Sequence, residues 1–302
     1  MSNFLHQLGT ELSDPQSLDL DRCSATEIVT RMNFADKIVA DKVAEVLPDV
    51  ARVVQMVTKQ LMNGGRLIYI GAGTSGRIGA QDAAECPPTF GVDPELVIGL
   101  IAGGNSAMLE AQENVEDDEE QALEDLKHAC LSSKDVVVGI TASGRTPYVI
   151  SALKFASKIG SKTVSISCNK NAEVSQMAEI FIEVDTGPEV LRGSTRLKAG
   201  TAQKMILNMI STGSMVQLGK VYQNLMVDFK ITNHKLAERG RRIIMEVTGC
   251  SYEEARRLLV ETNGKVKTAI VMSILNLSKT GAEQLLQKKN GSLRSALEGT
   301  RQ

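Results

Sequence analysis

The sequence predicts an α/β fold: a three-layer sandwich with helices on both faces of a parallel sheet, followed by a small all-helical C-terminal module. Three observations predict it. Short runs rich in valine and isoleucine alternate with helix-length segments through the middle of the chain. Those runs are apolar on both faces, as strands buried between two helical layers must be. Beyond about residue 233 no such run recurs, and helical periods punctuated by glycine take over.

Taken in order, Ser24-Ala-Thr-Glu27 reads as a capping box, because Ser and Glu at that spacing can satisfy each other's exposed amides. It opens a long helix in which Ile28, Met32, Ala35, Val39, Val43 and Val46 recur at helical period. Pro48 suits the first turn of a second helix, which Gly64-Gly65 ends. Strands are expected at 67–70, 96–101, 135–140, 163–167 and 180–184. Helices are expected near 75–84, 105–113, 117–129, 146–158 and 195–217, then at 233–247, 252–262, 265–275 and 280–287. The expected division is an N-terminal helical segment over 1–47, a sandwich domain over 48–232 and the helical module over 233–302. In such a sandwich, ligands bind beyond the carboxyl ends of the strands.

Composition excludes several classes of function. A net charge of -2 over 302 residues gives no basic excess for nucleic acid. No apolar run reaches the roughly 18 residues that span a bilayer, and the start, MSNFLHQLGTELSDPQ, lacks the basic and apolar regions of a signal peptide. Cys23, Cys86, Cys130, Cys168 and Cys250 are dispersed without paired spacing, which fits reduced thiols in a cytoplasm. With three isolated histidines besides, no metal site is expected. The acidic run Glu116 to Glu120 reads as a solvated helix start, where carboxylates favour the dipole.

Chemistry concentrates in two glycine loops. IGAGTSGRIGAQDAAECPPTF, residues 70–90, carries Gly71, Gly73 and Gly76 at dinucleotide-loop spacing. The ribose-binding acid expected after the second strand is absent, since that strand runs into Ala102-Gly103-Gly104. The lysine of a nucleotide phosphate loop is absent too. What remains is an anion site made of helix-start amides and the hydroxyls of Thr74 and Ser75, with Gly76 beside them. The third strand repeats the device, running into Thr141-Ala-Ser143-Gly144-Arg-Thr146-Pro147. Two hydroxyl-bearing loops on one sheet edge can close on a phosphate from two sides. Arg77 and Arg145 follow the two Ser-Gly pairs, where each can face the phosphate or the acidic run.

Thr141-x-Ser143-Gly-x-Thr146 resembles the phosphate loop of the sugar isomerase (SIS) domain, and the likeness covers roughly residues 50–220. More narrowly, GAGTSGRIGAQDAAECPPTFG, LIAGG and GSTRLKAGTAQKMILN, continuing through NHKLAERG, resemble the N-acetylmuramic acid 6-phosphate etherases. The resemblance implies a carbon–oxygen lyase that removes D-lactate from that amino-sugar phosphate, with no cofactor. It implies Glu85 as proton donor, and Glu116 as the base at C2, with Glu113 and Asp117 as near alternatives. Ser194, Thr195 and Lys198 lie in a segment that borders the sugar in this superfamily, while Lys235 and Arg239 match the family's Asn-x-Lys-Leu run. From the residues themselves, a carboxylate at a helix end beside Cys86-Pro87-Pro88 is expected to hold its proton tightly, because proline stops the helix there. The same loops would serve an aldose–ketose isomerase or a non-catalytic sugar-phosphate sensor. SYEEARRLLVETNGKVKTAIVM resembles ubiquitin-associated helices, read here as a cap. The apolar surplus on the N-terminal helices predicts a homodimer.

Overall fold

The computed structural model describes residues 8–299. Helix α1, Ala25–Ala44, opens with both halves of the capping box made: Ser24 N–H donates to Glu27 Oε2 at 2.7 Å and Glu27 N–H to Ser24 Oγ at 3.4 Å. Helix α2, Leu47–Met62, carries Pro48 in its first turn. The chain then turns at Gly64, φ +77°, and Gly65, where an added Cβ would stand 1.9 Å from the Lys134 carbonyl oxygen.

Strand β1, Leu67–Gly71, leads into helix α3, Gly73–Phe90. Strand β2 is Val97–Ile101; helix α4, Glu119–His128; strand β3, Val136–Ile140; and helix α5, Pro147–Ile159. Strands β4, Lys162–Ser167, and β5, Ile180–Glu183, precede helix α6, Lys198–Gln217. The five strands form one parallel sheet in the order β2-β1-β3-β4-β5. Its direction of growth reverses at β1, so β1 and β3 are neighbours with Gly71 opposite Ile140.

Alternation along β1 builds the layers. Ile68 and Ile70 join a buried cluster with Leu126 of α4 and Tyr148, Val149 and Leu153 of α5. Tyr69 points to the other face, where its hydroxyl donates to the buried Asp82 of α3 at 2.9 Å. Asp82 also accepts from Asn208 and Ser211 of α6, so one interior carboxylate ties β1, α3 and α6 together.

Contacts divide the chain into two compact units. Among the described residues, the first holds 8–84 and 95–211, and the second 85–94 and 212–299. The second contains a short antiparallel hairpin, β6 Val221–Tyr222 with β7 Leu225–Met226, which the sequence reading missed. Helices α7 His234–Thr248, α8 Tyr252–Glu261, α9 Val266–Leu275, α10 Lys279–Lys288 and α11 Leu293–Glu298 follow. Their core joins Ile243, Ile244, Leu258, Leu259, Val266 and Ile270. Lys267, 6 % exposed, is pinned to Asp228 at 2.7 Å and to the Gly291 carbonyl at 2.6 Å.

Two expectations fail. The stretch 105–113 is not an α-helix: Gly103 and Gly104 take φ of +85° and +68°, and only a 3-10 turn over Gly104–Met108 follows. Left-handed geometry at two successive residues breaks a right-handed start. Nor does Cys86-Pro87-Pro88 stop α3, which continues through both prolines to Phe90. The prolines withdraw only the two amides that would reach Ala83 and Ala84, and Gly91 N–H still closes on the Pro87 carbonyl at 2.9 Å.

Candidate functional site

The in-register pairing of β1 with β3 places the two loops side by side, each at a carboxyl end of the sheet. Both lead into helix N-termini, whose amides and partial positive charge suit an anion. In the first loop, an added Cβ on Gly71 would meet Gly76 N at 2.9 Å, and one on Gly76 would meet Ile101 Cγ1 at 2.7 Å. Glycine there lets α3 start almost on top of the strand. Thr74 is half-buried and Ser75 buried in that first turn. Ser75 donates to Gln203 Oε1 of α6 at 3.0 Å.

The second loop is laced by its own hydroxyls. Thr141 Oγ1 lies 2.8 Å from Thr146 Oγ1 and 3.3 Å from Ser143 Oγ, and it accepts from Gly144 N–H at 3.2 Å. Ser143 Oγ accepts from Arg145 N–H. Gly144, φ +77°, has no room for a Cβ, which would lie 2.5 Å from Ala172 Cβ. Its carbonyl accepts from Val174 N–H at 3.0 Å. The segment behind it is held in turn by Glu183, which accepts from Asn171 N–H, Ala172 N–H and Ser175 Oγ.

A residue that sequence reasoning missed secures the same loop. Asn169, 3 % exposed, donates from Nδ2 to the Ala142 carbonyl at 2.9 Å and to Thr10 Oγ1 at 3.0 Å, and accepts from Thr10 N–H. Residues 8–11 thereby lie along the edge of the sheet where the loops are. Gln203 was missed as well. Its signal was a polar side chain on the face of α6 that buries Ala199, Ala202, Ile206 and Leu207.

The remaining predicted residues distribute unevenly. Ser194 and Thr195 are half-buried just before α6. The α6 N-terminus is capped by Glu189, fully buried, which accepts from Lys198 N–H and Ala199 N–H at 2.9 Å each. Burial pushes that carboxyl upward, and the two amides and the Lys198 charge oppose it. The Lys198 side chain lines a cavity of about 670 Å³ with Arg31, Phe34, Ile38, Lys42 and Asp185, to which neither hydroxyl loop contributes.

Arg77 meets neither the phosphate loop nor the acidic run. Its Nε and Nη2 donate to the Met108 and Glu110 carbonyls at 3.3 and 3.1 Å, fastening the segment after β2. That segment carries Glu116 to a 3-10 turn over Val115–Asp117, where the side chain is exposed in the first unit. The acidic run is divided there: Asp118 caps α4, and Glu119 and Glu120 fill its first turn. Glu85 and Lys235 belong to the second unit, and both are exposed. Glu85 stands within α3, which continues to Phe90, and not at its end.

Residues 49–157 match the N-terminal SIS domain of glucokinase regulatory protein, 109–212 the SIS domain, and 223–263 the C-terminal lid domain of glucokinase regulatory protein. A phosphoheptose isomerase from Francisella tularensis shares the fold, with a TM-score of 0.50 and 15 % identity over 64 % of this chain and 100 % of that one. N-acetylmuramic acid 6-phosphate etherases are far more similar. One from Bacillus mycoides (strain KBAB4) is 56 % identical over 90 % of this chain and 92 % of its own. One from Geobacillus sp. (strain WCH70) is 55 % identical over 98 % and 100 %, and one from Salmonella typhi 52 % identical over 97 % and 99 %. Identity at that level along nearly the whole length, on an SIS sandwich with paired hydroxyl loops, places the chain in the N-acetylmuramic acid 6-phosphate etherase family.

Proposed function

We infer that this chain cleaves the D-lactyl ether of N-acetylmuramic acid 6-phosphate, giving N-acetylglucosamine 6-phosphate and D-lactate in the recovery of cell-wall amino sugar. The observation that carries the reading is the family identity of 52 to 56 %, and the pairing of two hydroxyl-bearing loops on adjacent strand ends supplies a place for the phosphate. Thr74, Ser75, Gly76, Thr141, Ser143, Gly144 and Thr146 form that anchor, with Ser194, Lys198 and Lys235 as further substrate contacts.

An alkyl ether resists direct hydrolysis, but the open-chain sugar offers elimination. Its C1 aldehyde makes the C2 proton acidic. Glu116 takes that proton, the C3–O bond breaks, and Glu85 protonates the departing lactyl oxygen. Glu85 then removes a proton from water as the water oxygen adds to C3 of the unsaturated aldehyde, and the C2 proton returns from Glu116. Protons and electrons balance with one carboxyl group as base, one as acid, and no redox step.

We further propose a cytoplasmic homodimer whose sites take residues from the neighbouring subunit. Among the described residues no helix is long and apolar enough to cross a membrane. Phe34 and Ile38, one turn apart on α1, are 58 and 39 % exposed, an apolar surface that suits association. Incubating the purified chain with N-acetylmuramic acid 6-phosphate and assaying D-lactate tests the activity. Sugar interconversion or binding without lactate release would instead mark an isomerase or a sensor.

A further inference from the structure

Ser75 has a single hydroxyl proton, and it is donated to Gln203 Oε1. A hydroxyl so engaged can accept a hydrogen bond but cannot donate one to a phosphate oxygen, which has only lone pairs to offer. Meanwhile Gln203, 1 % exposed, leaves its Nε2 buried without a hydrogen bond. The carboxamide does act on the Cys168 thiol, lowering its proton affinity against the larger effect of burial. Sulfur is a weak acceptor, and Nε2 has no hydrogen-bond partner in the interior. A buried unpaired N–H donor is among the costlier arrangements in a protein interior.

Both mismatches disappear in one movement. We propose that Gln203 is a positioning residue for the phosphosugar: when phosphate enters, its carboxamide turns over, Nε2 donates to Ser75 Oγ, and Ser75 donates its proton to the phosphate. This rests on the reading that Ser75 meets the substrate phosphate. The turn puts Oε1 where Nε2 was, and a buried carbonyl short of a donor costs less than a buried N–H short of an acceptor. The resulting chain, amide to hydroxyl to anion, has every donor aimed at the charge, and each bond polarises the next. A carboxamide can accept from Ser75 in one state and donate to it in the other by rotation about one torsion. A carboxylate can only accept, and a thioether does neither well.

The test measures KM for N-acetylmuramic acid 6-phosphate, with kcat and thermal melting alongside, for Ser75→Ala, Gln203→Glu, Gln203→Met and the Ser75→Ala/Gln203→Met double variant. At pH 8 Gln203→Glu fixes the Ser75 proton on the carboxylate, so KM rises about tenfold or more, the size of one lost charge-assisted hydrogen bond. The rise exceeds that of Gln203→Met, and kcat changes less than KM. In Gln203→Glu alone, KM returns toward the wild-type value as pH falls and the carboxyl regains a donor. In the Ser75→Ala background, Gln203→Met adds nothing further. A purely structural Gln203 gives the opposite: the near-isosteric Gln203→Glu is tolerated, and the Ser75→Ala and Gln203→Met effects add. Either result overturns the relay. Should Gln203→Glu fail to fold, the Ser75→Ala/Gln203→Met cycle decides alone. Unchanged KM in Ser75→Ala would remove Ser75 from the phosphate site, and the relay with it. A raised KM with additive effects sinks only the relay.

Discussion

A Cβ on Gly76 would stand 2.5 Å from the carbonyl oxygen of Gly71. The obstacle is main chain at the end of β1, which cannot swing aside as a side chain can. Gly76→Ala must therefore push α3 off the sheet, at the upper end of overpacking costs, about 3 kcal/mol. Chemical denaturation reads it, and a variant as stable as the parent would show that the contact yields.

Glu85→Ala separates the two halves of the proposed reaction. In deuterated water the variant is expected to exchange the C2 proton while releasing no D-lactate, because proton abstraction survives and leaving-group protonation does not. Lactate release at the parent rate would take the acid role away from Glu85. Glu116→Gln is expected to lose both exchange and release.

The Arg66–Asp135 pair predicts an acid limit to stability. Burial alone raises the Asp135 carboxyl, but the Arg66 side chain and the Ser132 amide outweigh it, and the net shift is downward from 3.8. The unfolded chain then holds that proton more tightly, so the contribution is complete above 3.8 and declines as pH falls through the lower folded value. Asp135→Asn is expected to cost about 2 kcal/mol at neutral pH, below a fully buried pair, because the Arg66 side chain keeps 24 % exposure. Urea denaturation from pH 7 to pH 3 checks both points: the variant should lose less on acidification than the parent does.

Phe34→Asp tests the subunit surface. The parent is expected to sediment at about twice its 32.6 kDa chain mass, and the variant, with a charge on the apolar face of α1, at the chain mass. A parent that sediments as a single chain at micromolar concentration would refute the homodimer.

The strands were legible as short apolar runs, most clearly in β1 and β3, where burial on both faces leaves five apolar or glycine residues in a row. The cap at Ser24 and the first-turn Pro48 were legible for the same kind of reason, since their chemistry is local. Pairing of the hydroxyl loops could be read as well, for it follows from topology once the strands are known. What escaped depends on contacts distant in sequence. Gln203 meets Ser75 across 128 residues of sequence and Asn169 meets Thr10 across 159, so no local pattern shows either contact. Pro87 and Pro88 misled because their rule counts lost amides, whereas packing decides whether a helix tolerates the loss.

The turn from Thr141 to Thr146 is fastened on its outer side by Ala172, Val174 and Asn169 and cross-linked within by its own hydroxyls. If the oxyanion binds there as proposed, it finds its cradle already fastened, so little conformational entropy is surrendered on capture. Calorimetry of phosphosugar binding should accordingly show a small ordering penalty. A loosened cradle, made by Asn169→Ala, should then dissociate its ligand faster while associating at nearly the parent rate.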